Sequence, residues 1–266
     1  MKLTVFFISI ALTFSVATAS SSDFSAHLAA RESRISRPFT KSTGNATDNG
    51  PLDGSTTEDL YSSNWAGGLL ESPPVGQRFI DVGGTFVVPT LRGNDGAMSV
   101  WIGIDGGPNA PQSILQTGID CYIIGGVNYF FAWFEWYPQN AFEITEFVVS
   151  AQNKITLRVQ AVNSTTGIIT LTNESTGQSG SLEVTAPDDD AALQGQTAEW
   201  IVEDLEQDGT LVPLPSFGQV QFTDAAAFTG VVEDFASVGV AVDMVQNGGF
   251  LATSTINENI VTVDYA

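Results

Sequence analysis

Four short runs of this chain place acids, amides and indoles on one side and aliphatic side chains on the other. Side chains alternate across a strand, so every second residue shares a face. Trp101, Gly103 and Asp105 oppose Val100, Ile102 and Ile104, and Gln116, Gly118 and Asp120 oppose Leu115, Thr117 and Ile119. Phe131, Trp133, Glu135 and Tyr137 oppose Ala132, Phe134 and Trp136, while Glu199, Ile201 and Glu203 oppose Ala198, Trp200 and Val202. Carboxyl groups beside aromatic faces can do general acid and base work on a bound chain, and glycines between them let a ligand backbone come close. A merely wetted sheet face would be mostly Thr, Ser and Lys. The pattern therefore describes a lined groove for an extended ligand, and periodicity alone leaves open whether that ligand is a peptide or a sugar chain.

What is missing narrows the chemistry further. His27 is the only histidine, and it lies in the N-terminal stretch. The body can host neither a Ser-His-Asp or Cys-His arrangement nor a His-liganded zinc, so neither a metal nor a cofactor is expected. Cys121 stands alone, which rules out an intramolecular disulfide. Its strand face, shared with Leu115 and Ile119, marks it as a buried structural thiol. The run Asp188-Asp189-Asp190 reads as a solvated acidic loop.

The elements that must hold these groups are strands. From about residue 58 to 266 the chain consists of short runs rich in Val, Ile, Thr, Phe and Trp, separated by turn residues, with no helical period of three turns. The expectation is one all-β domain of antiparallel strands, a sandwich or a barrel. Turns are expected at Gly83-Gly84, Asp105-Gly106-Gly107-Pro108, Gly125-Gly126-Val127-Asn128 and Asn247-Gly248-Gly249, and a hairpin tip at Asn163-Ser164-Thr165. Asn45, Asn163 and Asn173 each head an N-glycosylation acceptor triplet.

Residues 1–19 have the build of a secretory signal peptide: Lys2, an apolar run from Leu3 to Val16, then Ala17-Thr18-Ala19. A secreted, extracellular protein is expected. Residues 20–57 are rich in Ser, Thr, Asn and Gly, show no apolar period, and carry Arg31, Arg34, Arg37 and Lys41. They read as a pro-segment, disordered or removed. The chain has 9 Lys and Arg against 30 Asp and Glu, a net charge of −21. The body keeps only Arg78, Arg92, Lys154 and Arg158 as cations. Such a surface repels nucleic acid and anionic membranes. It also avoids the cationic self-repulsion that unfolds most proteins in acid, which suits work at low pH.

Five segments then resemble one family. They are Ser63-Asn64-Trp65-Ala66-Gly67, Trp101-Ile102-Gly103-Ile104-Asp105-Gly106, Ile114-Leu115-Gln116-Thr117-Gly118, Trp133-Phe134-Glu135-Trp136-Tyr137-Pro138 and Ala198-Glu199-Trp200-Ile201-Val202-Glu203-Asp204. In this order they resemble the glutamic peptidases, or eqolisins, which are pepstatin-insensitive acid proteases secreted mainly by fungi. The resemblance implies a sandwich of two bent antiparallel sheets with a concave substrate groove, and a catalytic dyad carried over onto Gln116 and Glu203. It assigns Trp101, Asp105, Asp120 and Glu135 to the lining or support of the groove, where face sorting also puts Trp133, Tyr137 and Glu199. The implied activity is cleavage of polypeptides, and a monomer is expected. Glu203 acts as general base on water, Gln116 as oxyanion donor, and no covalent intermediate forms. Working in acid would require a lowered pKa at Glu203. The cationic pro-segment would cover the anionic groove as an intramolecular inhibitor. Two other readings remain beside this one: a jelly-roll glycoside hydrolase using Glu135 and Glu203, and a non-catalytic carbohydrate-binding module.

Overall fold

The computed structural model describes residues 34–42, 60–207, 209–230 and 239–266. The signal sequence, Asn45 and most of the N-terminal stretch lie outside these residues. Among the described residues there is no helix. The strands are β1 (Leu60–Ser62), β2 (Trp65–Leu70), β3 (Asp81–Val87), β4 (Gly96–Ile104), β5 (Ile114–Ile124) and β6 (Val127–Tyr137). They continue as β7 (Phe142–Glu143), β8 (Lys154–Asn163), β9 (Thr166–Asn173), β10 (Gln178–Thr185), β11 (Ala198–Asp204), β12 (Glu206–Gln207) and β13 (Thr210–Leu211). The last four are β14 (Gln219–Phe228), β15 (Gly239–Gln246), β16 (Gly249–Asn257) and β17 (Ile260–Tyr265).

One open ladder runs β10-β9-β8-β3-β14-β17-β16-β15-β2-β11-β4-β5-β6-β7. The short β1 joins β15 in parallel, and β12 pairs with β13 apart from the rest. The ladder folds back on itself, so that β3 and β8 pack against β4 and β5 face to face. This is the expected all-β antiparallel sandwich, and it does not close into a barrel. Its core lies between the layers: Val100, Ile102, Leu115, Ile119, Cys121, Trp136, Trp200 and Val202 from one side meet Val82, Phe86, Leu157, Val159 and Ile169 from the other. These are the apolar faces that alternation selected, and Cys121 is a buried free thiol among them.

Two readings need correction. Gly83-Gly84 is not a turn but the middle of β3. A Cβ at Gly84 would lie 2.9 Å from the Trp200 indole, whose Nε1 donates to the Gly83 carbonyl at 2.8 Å. The pair makes room for a core indole. Asn173 is fully buried, and its Nδ2 donates to the Val148 carbonyl and to Asn153 Oδ1. That nitrogen is unavailable to a glycan. Asn163 keeps its exposed hairpin tip, with Oδ1 accepting from the Thr165 backbone.

Candidate active site

The second face of β2, β11, β4, β5 and β6 lines the groove. Register arranges its side chains in rows across the strands. Glu203, Ser99, Asp120 and Phe131 form one row, and Ile201, Trp101, Gly118 and Trp133 form the next. Glu199, Gly103, Gln116 and Glu135 form the third. Asp105 follows β4 beyond that row, and Tyr137 lies opposite Ile114. All the sequence-selected groove residues are therefore brought to one face.

The rows separate the two candidate bases. Gln116 and Glu199 both lie opposite Gly103, so only a glycine stands between them. On a flat ladder, strands about 4.8 Å apart put their Cα atoms about 10 Å from each other. Glu203 is four residues further along β11, in the row of Ser99, but its carboxylate reaches toward the Gln116 row: Ser36 donates its hydroxyl to Glu203 and its N–H to Glu135, the cross-strand neighbour of Gln116. A Cβ at Gly103 would lie 2.9 Å from Glu199 Oε1, 3.1 Å from Trp101 Cζ3 and 3.3 Å from Gln116 Cβ. The space over Gly103 is thus shared by the Gln116 and Glu199 side chains. The Trp101 indole lies lengthwise beside it. Its ring edge reaches Gly103, while its Nε1 donates to Glu203 Oε2 at 2.9 Å.

Gln116 is fully buried, and among the described residues neither its Nε2 nor its Oε1 has a hydrogen-bond partner. A buried amide left unmatched costs free energy. Such a group is suited to a substrate carbonyl or an attacking water. Asp105 supports the Glu199 side. At φ 68 its backbone is left-handed, a conformation Asp tolerates better than most residues. Its carboxylate accepts the backbone N–H groups of Gln194, Gly195 and Gln196 at 2.6, 2.9 and 2.7 Å. Its own N–H donates to the Thr197 carbonyl, two residues before Glu199.

The groove is occupied. Arg34 is buried, its guanidinium 3.0 Å from Asp120 Oδ1, 3.4 Å from Glu135 Oε2 and 3.9 Å from the centre of the Trp133 ring. The backbone N–H of Ser36 donates to Glu135 Oε2 at 3.0 Å, and its hydroxyl donates to Glu203 Oε2 at 2.5 Å. Arg37 donates its N–H to Glu203 Oε1 at 3.3 Å and pairs with Glu206 at the rim. Phe39 donates to the Gly106 carbonyl and packs edge-on against Trp65. Residues 34–42 carry no apolar period. What orders them is charge pairing and backbone hydrogen bonds, which a search for hydrophobic periodicity does not register. The cluster of Arg34, Arg37 and Lys41 was the available signal.

The acids respond to their burial. Burial pushes Glu199 well up, and the Asp105 charge adds to it. Burial likewise raises Glu135 well above the carboxylate range, although Arg34 and the Ser36 N–H oppose it. Glu203 is raised to about 7 by burial, against the opposing pull of Arg34, Ser36, Arg37 and Trp101. A lowered pKa at Glu203 is therefore not found with the groove covered: desolvation outweighs four favourable partners. Burial works against the Arg34 charge as well, but Asp120, Glu135 and Glu203 together prevail and raise its pKa.

Residues 63–265 match the Peptidase A4 family. The chain is 35% identical to Aspergillopepsin-2 of Aspergillus niger over 236 residues, 80% of this chain and 81% of that protein. Its structure superposes on scytalido-glutamic peptidase, solved with a transition state analog inhibitor, with TM-score 0.69 and 30% identity over 77% of this chain and 98% of that one. It also superposes on aspergilloglutamic peptidase from Aspergillus niger with TM-score 0.60 and 34% identity, covering 64% of this chain and 99% of that one.

Proposed function

This chain belongs to the Peptidase A4 family and is a peptide hydrolase of the glutamic type, and from that premise we propose that it is a secreted acid endopeptidase whose dyad is Gln116 and Glu203. The observation that supports the dyad is the Ser36 clamp: this one residue donates to Glu203 and to Glu135, the cross-strand neighbour of Gln116, whose buried amide has no hydrogen-bond partner among the described residues. Glu199 borders the space over Gly103 beside Gln116 and supports the site from there. The family match also removes the support for the glycoside hydrolase and carbohydrate-module readings.

In the proposed reaction, ionised Glu203 takes a proton from a water held between it and Gln116, and the water oxygen bonds to the scissile carbonyl carbon. The Gln116 amide donates to the oxyanion, a single contact worth about 3 kcal/mol. Glu203 then passes its proton to the leaving nitrogen as the C–N bond breaks. An amide donor has no proton to lose or gain in the working range, so acid does not impair it. The base must ionise in acid, and the Trp101 indole N–H favours its charged form.

The N-terminal segment is accordingly read as an intramolecular inhibitor held by charge. Asp120 and the carboxylates of Glu135 and Glu203 hold Arg34 and Ser36. As pH falls, Glu135 and Glu203 take up protons, those attractions weaken, and the segment leaves. The test is release of peptides from an acid-denatured protein at about pH 3 with pepstatin present, comparing the parent with Gln116→Ala and Glu203→Gln. Cleavage by the parent and none by either variant supports the dyad. Full activity in Glu203→Gln would sink it.

A further inference from the structure

The face of the sandwich opposite the groove holds a second concavity. There β3 and β14 turn Val82, Phe86 and Phe222 into the core, and Thr85, Val87, Gln221 and Thr223 to the other side. Around these the chain forms a cleft of about 780 Å³, a volume within the range of ligand sites. Its walls are tied to one another. The Val88 N–H donates to the Asn153 carbonyl and the Gln152 N–H to the Val88 carbonyl, each at 2.9 Å. Arg92 and Ser216 exchange backbone bonds at 2.8 and 3.0 Å. The lining also reverses the charge of its surroundings. The chain has 30 Asp and Glu, yet none lines the cleft, whereas two of the four cations of the body, Arg92 and Lys154, do. The other two are engaged elsewhere: Arg78 donates to the Leu193 and Gln194 carbonyls, and Arg158 to Asp81. Arg92 is exposed, and among the described residues its guanidinium has neither an ion pair nor a hydrogen-bond partner.

We propose that this cleft is an exosite for phosphate esters on a polypeptide substrate, anchored by Arg92 and Lys154, an inference that rests on cleavage of polypeptides but not on the choice of dyad. A guanidinium fork matches phosphate oxygens two at a time, and an ammonium adds a point charge. Hydroxyls and amides from Thr90, Ser216, Gln219 and Gln221 complete a polar lining. The working pH selects the ester over a carboxylate. Substrate Asp and Glu lose their charge near pH 4, whereas a phosphate monoester has its second pKa near 6 and keeps one negative charge below it. Three acids lie beside the cleft. Asp264 accepts from Gln219 at 2.8 Å, the Asp224 charge acts on Lys154, and Glu174 pairs with Lys154 at 2.6 Å. Glu174 is held below the usual carboxylate range by Lys154 and Thr156, so it releases the lysine only as acid protonates it. Because cleft and groove lie on opposite faces, only a long, denatured chain can occupy both. Capture at the cleft then raises the local concentration of that chain at the groove and leaves the chemistry unchanged.

The experiment measures kcat and KM at about pH 3 on an acid-denatured phosphoprotein, before and after a phosphatase has removed its phosphates. The full chain is compared with a variant carrying Arg92→Ala and Lys154→Ala together. Binding of a short phosphoserine peptide is followed by calorimetry in parallel. For the parent, dephosphorylation should raise KM about tenfold with kcat unchanged, and the peptide should bind with an affinity that falls as salt rises. The double variant should cut both forms of the protein alike, at the parent's rate on the dephosphorylated one, which also shows that it folds, and should not bind the peptide. A parent that does not distinguish the two forms, or a double variant that still binds the peptide, overturns the proposal. Tighter binding of a sulfated oligosaccharide than of the phosphopeptide would assign the cleft to a glycan and overturn it as well. If the parent cuts neither form of the protein, the peptidase reading itself fails, and the exosite falls with it even where the peptide binds.

Discussion

The two layers of the sandwich bury their strands differently. In the outer layer, β8 and β9 alternate along much of their length between buried and more exposed positions, with Thr170 and Thr172 meeting Ser181 and Ser179 across the wet face. In the groove layer, β4, β5 and β11 are buried at every position. One face of each sheet is covered by the other layer. The second face of the groove layer is covered by its own indoles and by residues 34–42. An antiparallel sheet ordinarily shows one face to water, so a sheet buried on both sides identifies a surface made to be covered. Carboxyl groups are desolvated there and bind protons tightly. Glu174, just past the end of β9 in the outer layer, behaves in the opposite way: hydrogen bonds from Lys154 and Thr156 hold it below the usual carboxylate range.

The largest test of this difference is chemical. Glu203→Gln should lower peptide hydrolysis by at least about a thousandfold, whereas Glu199→Gln should cost about tenfold, because it borders the space over Gly103 rather than holding the water. Initial rates on an acid-denatured protein would show this, and the reverse order would make Glu199 the base.

A second test is electrostatic. Glu135, Glu199 and Glu203 all bind protons more tightly folded than unfolded. Raised carboxyl pKa values make their contribution to stability fully present below about pH 4.4 and progressively lost as pH rises through the folded values. For Glu203, raised from 4.5 to about 7, the loss is on the order of 3 kcal/mol. Thermal unfolding of the full chain should therefore show a falling midpoint from about pH 4.5 to 7. Arg34→Ala should steepen that fall by about 3 kcal/mol, since it leaves Asp120 and Glu135 buried without their cation. A midpoint that rises over this range would contradict the assignment.

Two glycines sharpen the contrast between function and packing. Gly103→Ala places a methyl between Glu199 and Gln116 and should reduce activity by about a hundredfold with little change in unfolding. Gly84→Ala meets the Trp200 indole in the core and should cost about 1–3 kcal/mol of stability with activity per folded molecule unchanged. The smallest effect separates two acceptor triplets. Asn163→Gln should remove a glycan, read as a mass shift, with stability moving by less than about 0.5 kcal/mol. Asn173→Gln should leave the glycan mass unchanged and destabilise by about 1–2 kcal/mol through its lost hydrogen bonds.

Much of this molecule was legible from side-chain alternation. The core face, the groove face, the buried thiol and the hairpin at Asn163 follow from period two and turn chemistry, which are local. Gly83-Gly84 misled because a glycine pair reads as a turn until the Trp200 indole from the opposing layer is placed against it. Asn173 misled because an acceptor triplet says nothing of burial. The lack of histidine in the body excluded whole classes of hydrolase before any fold was considered, and composition alone sufficed for that.

What composition and spacing could not decide is which row of the groove each glutamate of β11 occupies. Glu199 and Glu203 share a strand face, so alternation treats them alike. Register across β11, β4 and β5 puts Glu199 opposite Gly103 and Glu203 opposite Ser99, and register is a property of three strands together. The same holds for the acid strengths and the covered groove. Residue types and their alternation were enough to establish an acidic, all-β, histidine-poor body with a reactive face. Which groups on that face meet was settled by the folded chain, because desolvation and contact arise only when residues distant in sequence, Arg34 and Glu135 or Gln116 and Glu199, are brought side by side.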